Sequence, residues 1–471
     1  MLKILLSDVF RLAPGQLAQV IGGVGVTIIL GKYLSPEELI IYTLYFLTQN
    51  YIVNLSAGWL TNSAVRFLPE RPELLRSLIN ITIVEAICLI GFGSIISLFA
   101  SSFFSQYINS AYTLLTVLLA SEAFVFSVFQ CSLRGMFDQK WFSWSSVIFV
   151  ISKLSLLAIF LPNSADPILL VLILTVLSYM PVLLIQWIIL RNKYRDIRNI
   201  TINYYKSFFQ ESIKYSLPLT ISLLLINFLQ TGDRYVLSAI LERNDVGVYT
   251  FWSGIGIQLN MALYRFISMA LNPRLFQLYF KAPDFAIKYV RDISNSYLLI
   301  GGPIIVVVGI IIQFGIKIFG IKLEYIGDSY LIYYGIVVAY FMGLTQLTGI
   351  IKHFEKMTGI FITASVVSII VMISVTYICA TIFELPGAGL GTLFAIFTYY
   401  FMVTYSSKSW PSILDFIISI IISSLLVIMY YLFTIKFGLL LSGIATFSIL
   451  LIYLIFVYIF IRRKYFRLQY L

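Results

Sequence analysis

Leu30-Gly-Lys-Tyr-Leu-Ser-Pro-Glu-Glu-Leu-Ile-Ile-Tyr-Thr-Leu-Tyr45 closes one long apolar segment, turns at Ser35-Pro36 and opens the next. The pattern returns at Leu241-Glu-Arg-Asn-Asp-Val-Gly-Val-Tyr-Thr250. Leu34, Tyr42 and Thr43 align with Leu241, Tyr249 and Thr250, and Glu38 aligns with Asp245. An apolar span, a polar turn carrying an acid, then a span with Tyr-Thr on its first turns is one hairpin used twice. A repeat at that separation indicates two similar halves of one membrane protein.

Composition points the same way. The 471 residues are 60% hydrophobic and 11% charged, with a mean hydropathy of +0.95. Soluble domains carry about 25% charged residues. At about 20 apolar residues per crossing, the chain holds about fourteen spans. They lie near 10–31, 39–64, 78–100, 111–133, 142–161, 168–190, 213–241, 246–271, 293–320, 328–351, 359–381, 387–407, 412–435 and 437–461. The expected fold is an all-α polytopic membrane protein. No cleavage site follows the first span, so that span is expected to stay. Cys88, Cys131 and Cys379 fall within spans and are expected to be buried thiols. The single histidine excludes a His-rich metal site.

The formal charge is +11. The basic residues gather in alternate loops: Arg66, Arg71 and Arg76; Arg134 and Lys140; Arg191 to Lys206; Arg274 to Arg291; Lys352 and Lys356; Lys408; and the tail from Arg462 to Arg467. The opposite loops carry only Lys32, Arg243, Lys317, Lys322 and Lys436. This alternation places both termini in the cytoplasm. It reads the charge as topology and implies no nucleic-acid partner.

Arg191 to Glu211 is the longest polar stretch. It divides the chain into an N-terminal six-helix lobe (1–190), a cytoplasmic linker (191–212), a C-terminal six-helix lobe (213–407), and a trailing helix pair with a basic tail (408–471). Lobes of six spans share one orientation, as parallel repeats do. Pro14 and Pro218 stand early in the first helix of each lobe. There they act either as a hinge or as a passive kink.

No phosphate-binding Gly-rich loop with its Lys-Ser/Thr ending occurs, and no carboxylate or metal cluster lies in a loop. The outer loops are short, so the chain reads as a non-enzyme without cofactor or metal. Ionisable side chains in lipid cost roughly 2.5–3.5 kcal/mol each, so they face a cavity or a partner. Glu122 and Lys153 lie 15 or 16 positions on either side of Asp138, roughly 23 Å along their helices. At the same depth, they are either a structural ion pair or a coupling pair. Asn227, Gln230, Thr231 and Arg234 share one helix face, as do Gln258, Arg265, Ser268 and Asn272. Gln16, Gln19 and Thr27, with Asn50, Asn54 and Thr61, give the leading helices of the first lobe polar faces too. Hydrogen bonding within a lobe would explain one such stripe; four on equivalent helices point to a shared substrate cavity. Asp233 and Arg234 diverge by about 100°, so one of them is expected to pack inside its lobe.

The chain resembles the polysaccharide flippases of the multidrug/oligosaccharidyl-lipid/polysaccharide exporter superfamily. The resemblance rests on the first hairpin, Val65-Arg-Phe-Leu-Pro-Glu70, Asp233-Arg234, Asn244 to Tyr249, and Leu385-Pro-Gly-Ala-Gly-Leu-Gly391. Ile40-Ile41 depart from it where a glycine is usual; Gly247 keeps the glycine in the second copy. The resemblance implies two six-helix bundles around a basic cavity in the bacterial inner membrane. It implies as substrate an undecaprenyl-pyrophosphate-linked oligosaccharide for O-antigen, capsule or exopolysaccharide, with other polysaccharide-assembly proteins as further partners. A multidrug or cation-coupled exporter of the same superfamily is the runner-up. A membrane enzyme or a non-transporting scaffold of polysaccharide assembly is the reading from another class. Arg265, about seven residues or 10 Å from the cytoplasmic end of its span, has no acid four residues away. A guanidinium there suits a phosphate.

Overall fold

A computed structural model describes residues 2–69, 71–103, 109–194, 202–258, 281–318, 320–325, 327–355 and 359–407, with isolated positions at 275, 279, 357, 412, 415, 418 and 421. Arg265, Ser268, Asn272, Arg195 and nearly all of 408–471 lie outside them. The described chain is helical: α1 (Leu2–Tyr33), α2 (Pro36–Phe67), α3 (Leu75–Phe103), α4 (Ser110–Gly135), α5 (Gln139–Phe160), α6 (Pro167–Tyr194), α7 (Ile202–Thr231), α8 (Asp233–Ser238), α9 (243–258 as described), α10 (Pro283–Ile318), α11 (Ile332–Phe354), α12 (Gly359–Gly387) and α13 (Leu390–Ser407). Eight described helical segments are long and apolar enough to cross a membrane. The protein is an all-α, multi-pass membrane protein. α2 is not among those eight, because Gln49, Asn50, Asn54, Thr61 and Asn62 dilute its apolar content.

The turn between α1 and α2 shows what the repeated acid does. Ser35 caps α2 through a capping box: its Oγ accepts from the Glu38 backbone N–H at 3.3 Å. The Glu38 carboxylate accepts from the Ser35 N–H at 2.7 Å. Pro36 at the first helical position needs no hydrogen-bond partner for its nitrogen. The chain therefore reverses in two residues, and two long helices leave one point.

The chain forms two compact units, residues 1–250 with 361–369, and 251–360 with 370–471. In the first, α2 packs along α4 and α7, α1 along α5, α3 and α6 along α4, and α5 along α6. Leu60, Ala64, Leu68, Leu74, Leu75, Leu78, Phe124, Val128 and Leu133 form its core between α2, α3 and α4. A Lys193–Asp138 ion pair of 2.8 Å ties α6 to the α4–α5 turn. At the opposite end of those helices, the Tyr112 hydroxyl donates to the Asp166 carboxylate at 3.0 Å. The other unit packs α10 and α13 along α11. There the Trp252 indole donates to the Tyr325 carbonyl at 2.7 Å. The six-plus-six lobe division drawn from the repeat is a proposal about repeats, separate from these contact units.

One expectation is corrected. Cys88 is exposed, and Cys131 and Cys379 are only half-buried. Cys88 shares α3 with Val84, Ile87, Phe92, Ile95 and Ile96, all exposed. That side of α3 is an apolar surface of the kind that faces lipid, so apolar surroundings do not make the thiol a core residue.

Candidate functional site

On α1, Gln19 donates to the Ser146 hydroxyl of α5 at 3.2 Å, and Ser146 also accepts from Gln130 of α4 at 2.6 Å. The Gly15 N–H, next to Pro14, donates to Ser143 at 2.7 Å, and Gln16 is buried. This face of α1 thus bonds to α4 and α5 of its own bundle, with Gln19 half-buried. Helix-to-helix bonding wins here because α1 and α5 run close enough for serine hydroxyls to reach across.

On α2 the residues facing α7 and α8 are Thr48, Tyr51 and Ser63. Tyr51 and Thr231 share a hydroxyl hydrogen bond of 2.8 Å, and so do Thr48 and Tyr235. Ser63 and Ser216 share a third of 2.9 Å. Tyr51 also lies against the rings of Phe228 and Tyr235, at 5.8 and 6.2 Å. Asn50, Asn54 and Thr61 take a neighbouring face of α2, with Asn50 and Asn54 half-buried. Sequence reasoning missed Thr48, Tyr51 and Tyr235 because a tyrosine counts as apolar in a polarity pattern. Their signal was the i, i+3 spacing of a threonine and a tyrosine on a face that continues to Ser63.

Asn227, Gln230, Thr231 and Arg234 do not lie on one uninterrupted helix. α7 ends at Thr231, Gly232 tightens the turn, and α8 restarts at Asp233. Asn227 is half-buried and Gln230 buried. Asp233 and Arg234 were expected to diverge, yet both are buried, at 1% and 3% exposure, with the guanidinium 3.6 Å from the carboxylate. Asp233 also accepts from the Tyr249 hydroxyl and from the Arg234 backbone N–H. Tyr249, the repeated tyrosine, thus joins the second hairpin to the top of α8. The two hairpins themselves touch: a Cβ on Gly247 would lie 2.0 Å from the Pro36 carbonyl oxygen. The glycine that copy one replaces with Ile40 is there for this approach. On α9, Gln258 is half-buried and its Oε1 has no hydrogen-bond partner.

Glu122 and Lys153 are both buried but do not bridge. The ion pairs among the described residues include none between them, and Lys153 stands over the Phe46 ring. Equal depth set by helix length does not fix the angle at which each side chain leaves its helix.

Residues 5–279 match a family described as polysaccharide biosynthesis protein. The chain belongs to that family. Among solved structures, lipid II flippase MurJ in an inward closed conformation is similar, with a TM-score of 0.69 at 15% identity. That match covers 98% of this chain and 99% of that one. An inward-facing multidrug resistance MATE family transporter of the MOP superfamily has a TM-score of 0.62 at 16% identity, over 83% and 94% of the two chains. Its outward-facing counterpart has a TM-score of 0.57 at 15% identity, over 85% and 94%. A comparison with curated sequences gives no match. The protein has the fold that these structures share.

Proposed function

We propose that the protein flips an undecaprenyl-pyrophosphate-linked oligosaccharide from the inner to the outer leaflet for polysaccharide or O-antigen assembly. The observation that carries the reading is the polar and aromatic seam between α2 and α7–α8, in a chain of the polysaccharide biosynthesis family. Hydroxyls and tyrosine rings along one seam offer a sugar headgroup both hydrogen bonds and flat faces. The likeness to a lipid II flippase over nearly the whole chain supports a lipid-linked sugar. The lipid tail would stay in the bilayer. Outward movement of two negative charges from a negative cytoplasm would gain about 4–5 kcal/mol per 100 mV.

Arg265, outside the described residues, is the proposed pyrophosphate contact, with Arg234, Gln258, Asn227 and Gln230 as further candidates. The deciding experiment is surface-polysaccharide export in a strain carrying Arg265→Ala. Export is expected to vanish with protein level unchanged, and Arg265→Lys to restore only part of it, because an ammonium cannot make two parallel bonds to a phosphate. Normal export by Arg265→Ala at wild-type level would remove Arg265 from the site. The orientation has its own check. With an impermeant thiol reagent applied from outside, a cysteine replacing Asn109 is expected to label and one replacing Arg195 to stay unlabelled; the reverse pattern would invert the topology.

A further inference from the structure

Glu122 is 8% exposed and Lys153 6%. The Glu122 Oε2 has no hydrogen-bond partner, and no ion pair among the described residues includes Glu122. Lys153 Nζ lies 5.3 Å from the centre of the Phe46 ring on α2, a geometry that stabilises an ammonium.

α4 is packed by α2, α3, α5 and α6, and each presents identifiable groups. From α2 comes Tyr42, which is buried. From α6 comes Tyr179, which is buried. Tyr179 stacks on Phe149 at 4.4 Å and meets Phe126 at 5.6 Å. From α3 comes Glu85, whose Oε2 also lacks a hydrogen-bond partner. From α5 comes Lys153 itself. The groups that these helices present are therefore aromatic rings, neutral hydroxyls and the Glu85 carboxyl, with one cation, Lys153, standing over Phe46. An ionised carboxylate buried without a countercharge is strongly disfavoured, and a proton removes the penalty.

We propose that Glu122 is a proton-binding site inside the α2–α4–α5–α6 bundle, occupied in the conformation described and emptied when Lys153 leaves Phe46 and pairs with it. The step balances simply. The carboxylic O–H bond breaks, the proton passes to water, and the carboxylate takes the Lys153 ammonium as its partner; the reverse step draws a proton from water. One lobe thereby alternates between a lone ammonium and a neutral pair, which gives its conformation a dependence on pH. The site stands whether or not the substrate is a lipid-linked sugar.

Infrared spectroscopy of the full-length protein in lipid nanodiscs tests this without any transport assay. Near neutral pH the wild type is expected to show a buried carboxylic-acid carbonyl band. Glu122→Gln should remove it, and Glu85→Gln, as a control, should leave that component in place. Lys153→Met should extend the band to more alkaline pH by at least about one unit, since the carboxylate loses the cation proposed to pair with it. Glutamine has the shape of the protonated acid, so Glu122→Gln should fold at wild-type yield. Should it fail to fold, Glu122→Asp provides the same reading by moving the band. A neutral-pH spectrum with no acid band that depends on position 122, or a Lys153→Met band with an unchanged pH profile, would overturn the proposal.

Discussion

Gly247→Ala is expected to lower the thermal midpoint of the purified protein by several degrees, and Gly247→Leu to leave little folded protein. The added Cβ would lie 2.0 Å from the Pro36 carbonyl oxygen, 2.4 Å from its carbon and 2.7 Å from the Pro36 Cα. All three are backbone atoms, so no rotamer change relieves the clash. Pro36 cannot retreat, because Ser35 and Glu38 cap α2 at that point and Pro36 is itself buried. Nor can α9 easily shift, since Val246, Val248 and Tyr249 on either side are buried. Overpacking a tight contact costs about 1–3 kcal/mol where side chains can yield, and about 3 kcal/mol or more is expected where only backbone can. Gly254 is the control: nothing lies within 4 Å of a Cβ built there. Gly254→Ala should be neutral or slightly stabilising, because alanine is the better helix former. The readout is the fraction remaining monodisperse in size-exclusion chromatography after heating. Equal midpoints for Gly247→Ala and wild type would show that the hairpins do not meet.

The repeated hairpin was legible because capping and span length are local. Ser35, Pro36 and Glu38 act within one turn, and an apolar run declares its own length. The late glycine-rich turn came from the family resemblance; there α12 ends at Gly387 and α13 begins at Leu390, with the Tyr334 hydroxyl donating to the Pro386 carbonyl at 2.8 Å. Which polar face meets which neighbour was not legible. Gln19 on α1 and Tyr51 on α2 both sit among apolar residues, yet Gln19 bonds across to α5 and Tyr51 across to α7. A polarity pattern records that a helix has a wet face, not the helix that the face meets. For Glu122 and Lys153 the spacing lacked the angle at which each side chain leaves its helix. For Asp233 and Arg234 a separation of about 100° was inferred from a regular helix. What adjacency did not carry is that both side chains are buried, and that where α8 begins the Asp233 carboxylate turns back onto the Arg234 N–H.

That turn supports the second large effect. Asp233→Ala is expected to cost about 3–5 kcal/mol, the range found when one partner of a buried ion pair is removed. Asp233 is the acceptor for three groups: the Tyr249 hydroxyl, the Arg234 backbone N–H and the guanidinium at 3.6 Å. Alanine would deprive all three at once, and the Arg234 charge, 3% exposed, would lose the carboxylate beside it. Asp233→Asn should be milder, since an amide oxygen can still accept from Tyr249 or from the backbone. Arg234→Met should also cost less than Asp233→Ala. The carboxylate it leaves keeps two donors, and methionine fills much of the vacated volume. The double variant Asp233→Ala/Arg234→Met should therefore be more stable than Asp233→Ala alone, which a double-mutant cycle on thermal midpoints measures directly. Tyr249→Phe, which deletes one hydroxyl from the same cluster, should fall at about 1–2 kcal/mol. If the costs of the two single changes simply added in the double variant, the two residues would not be coupled.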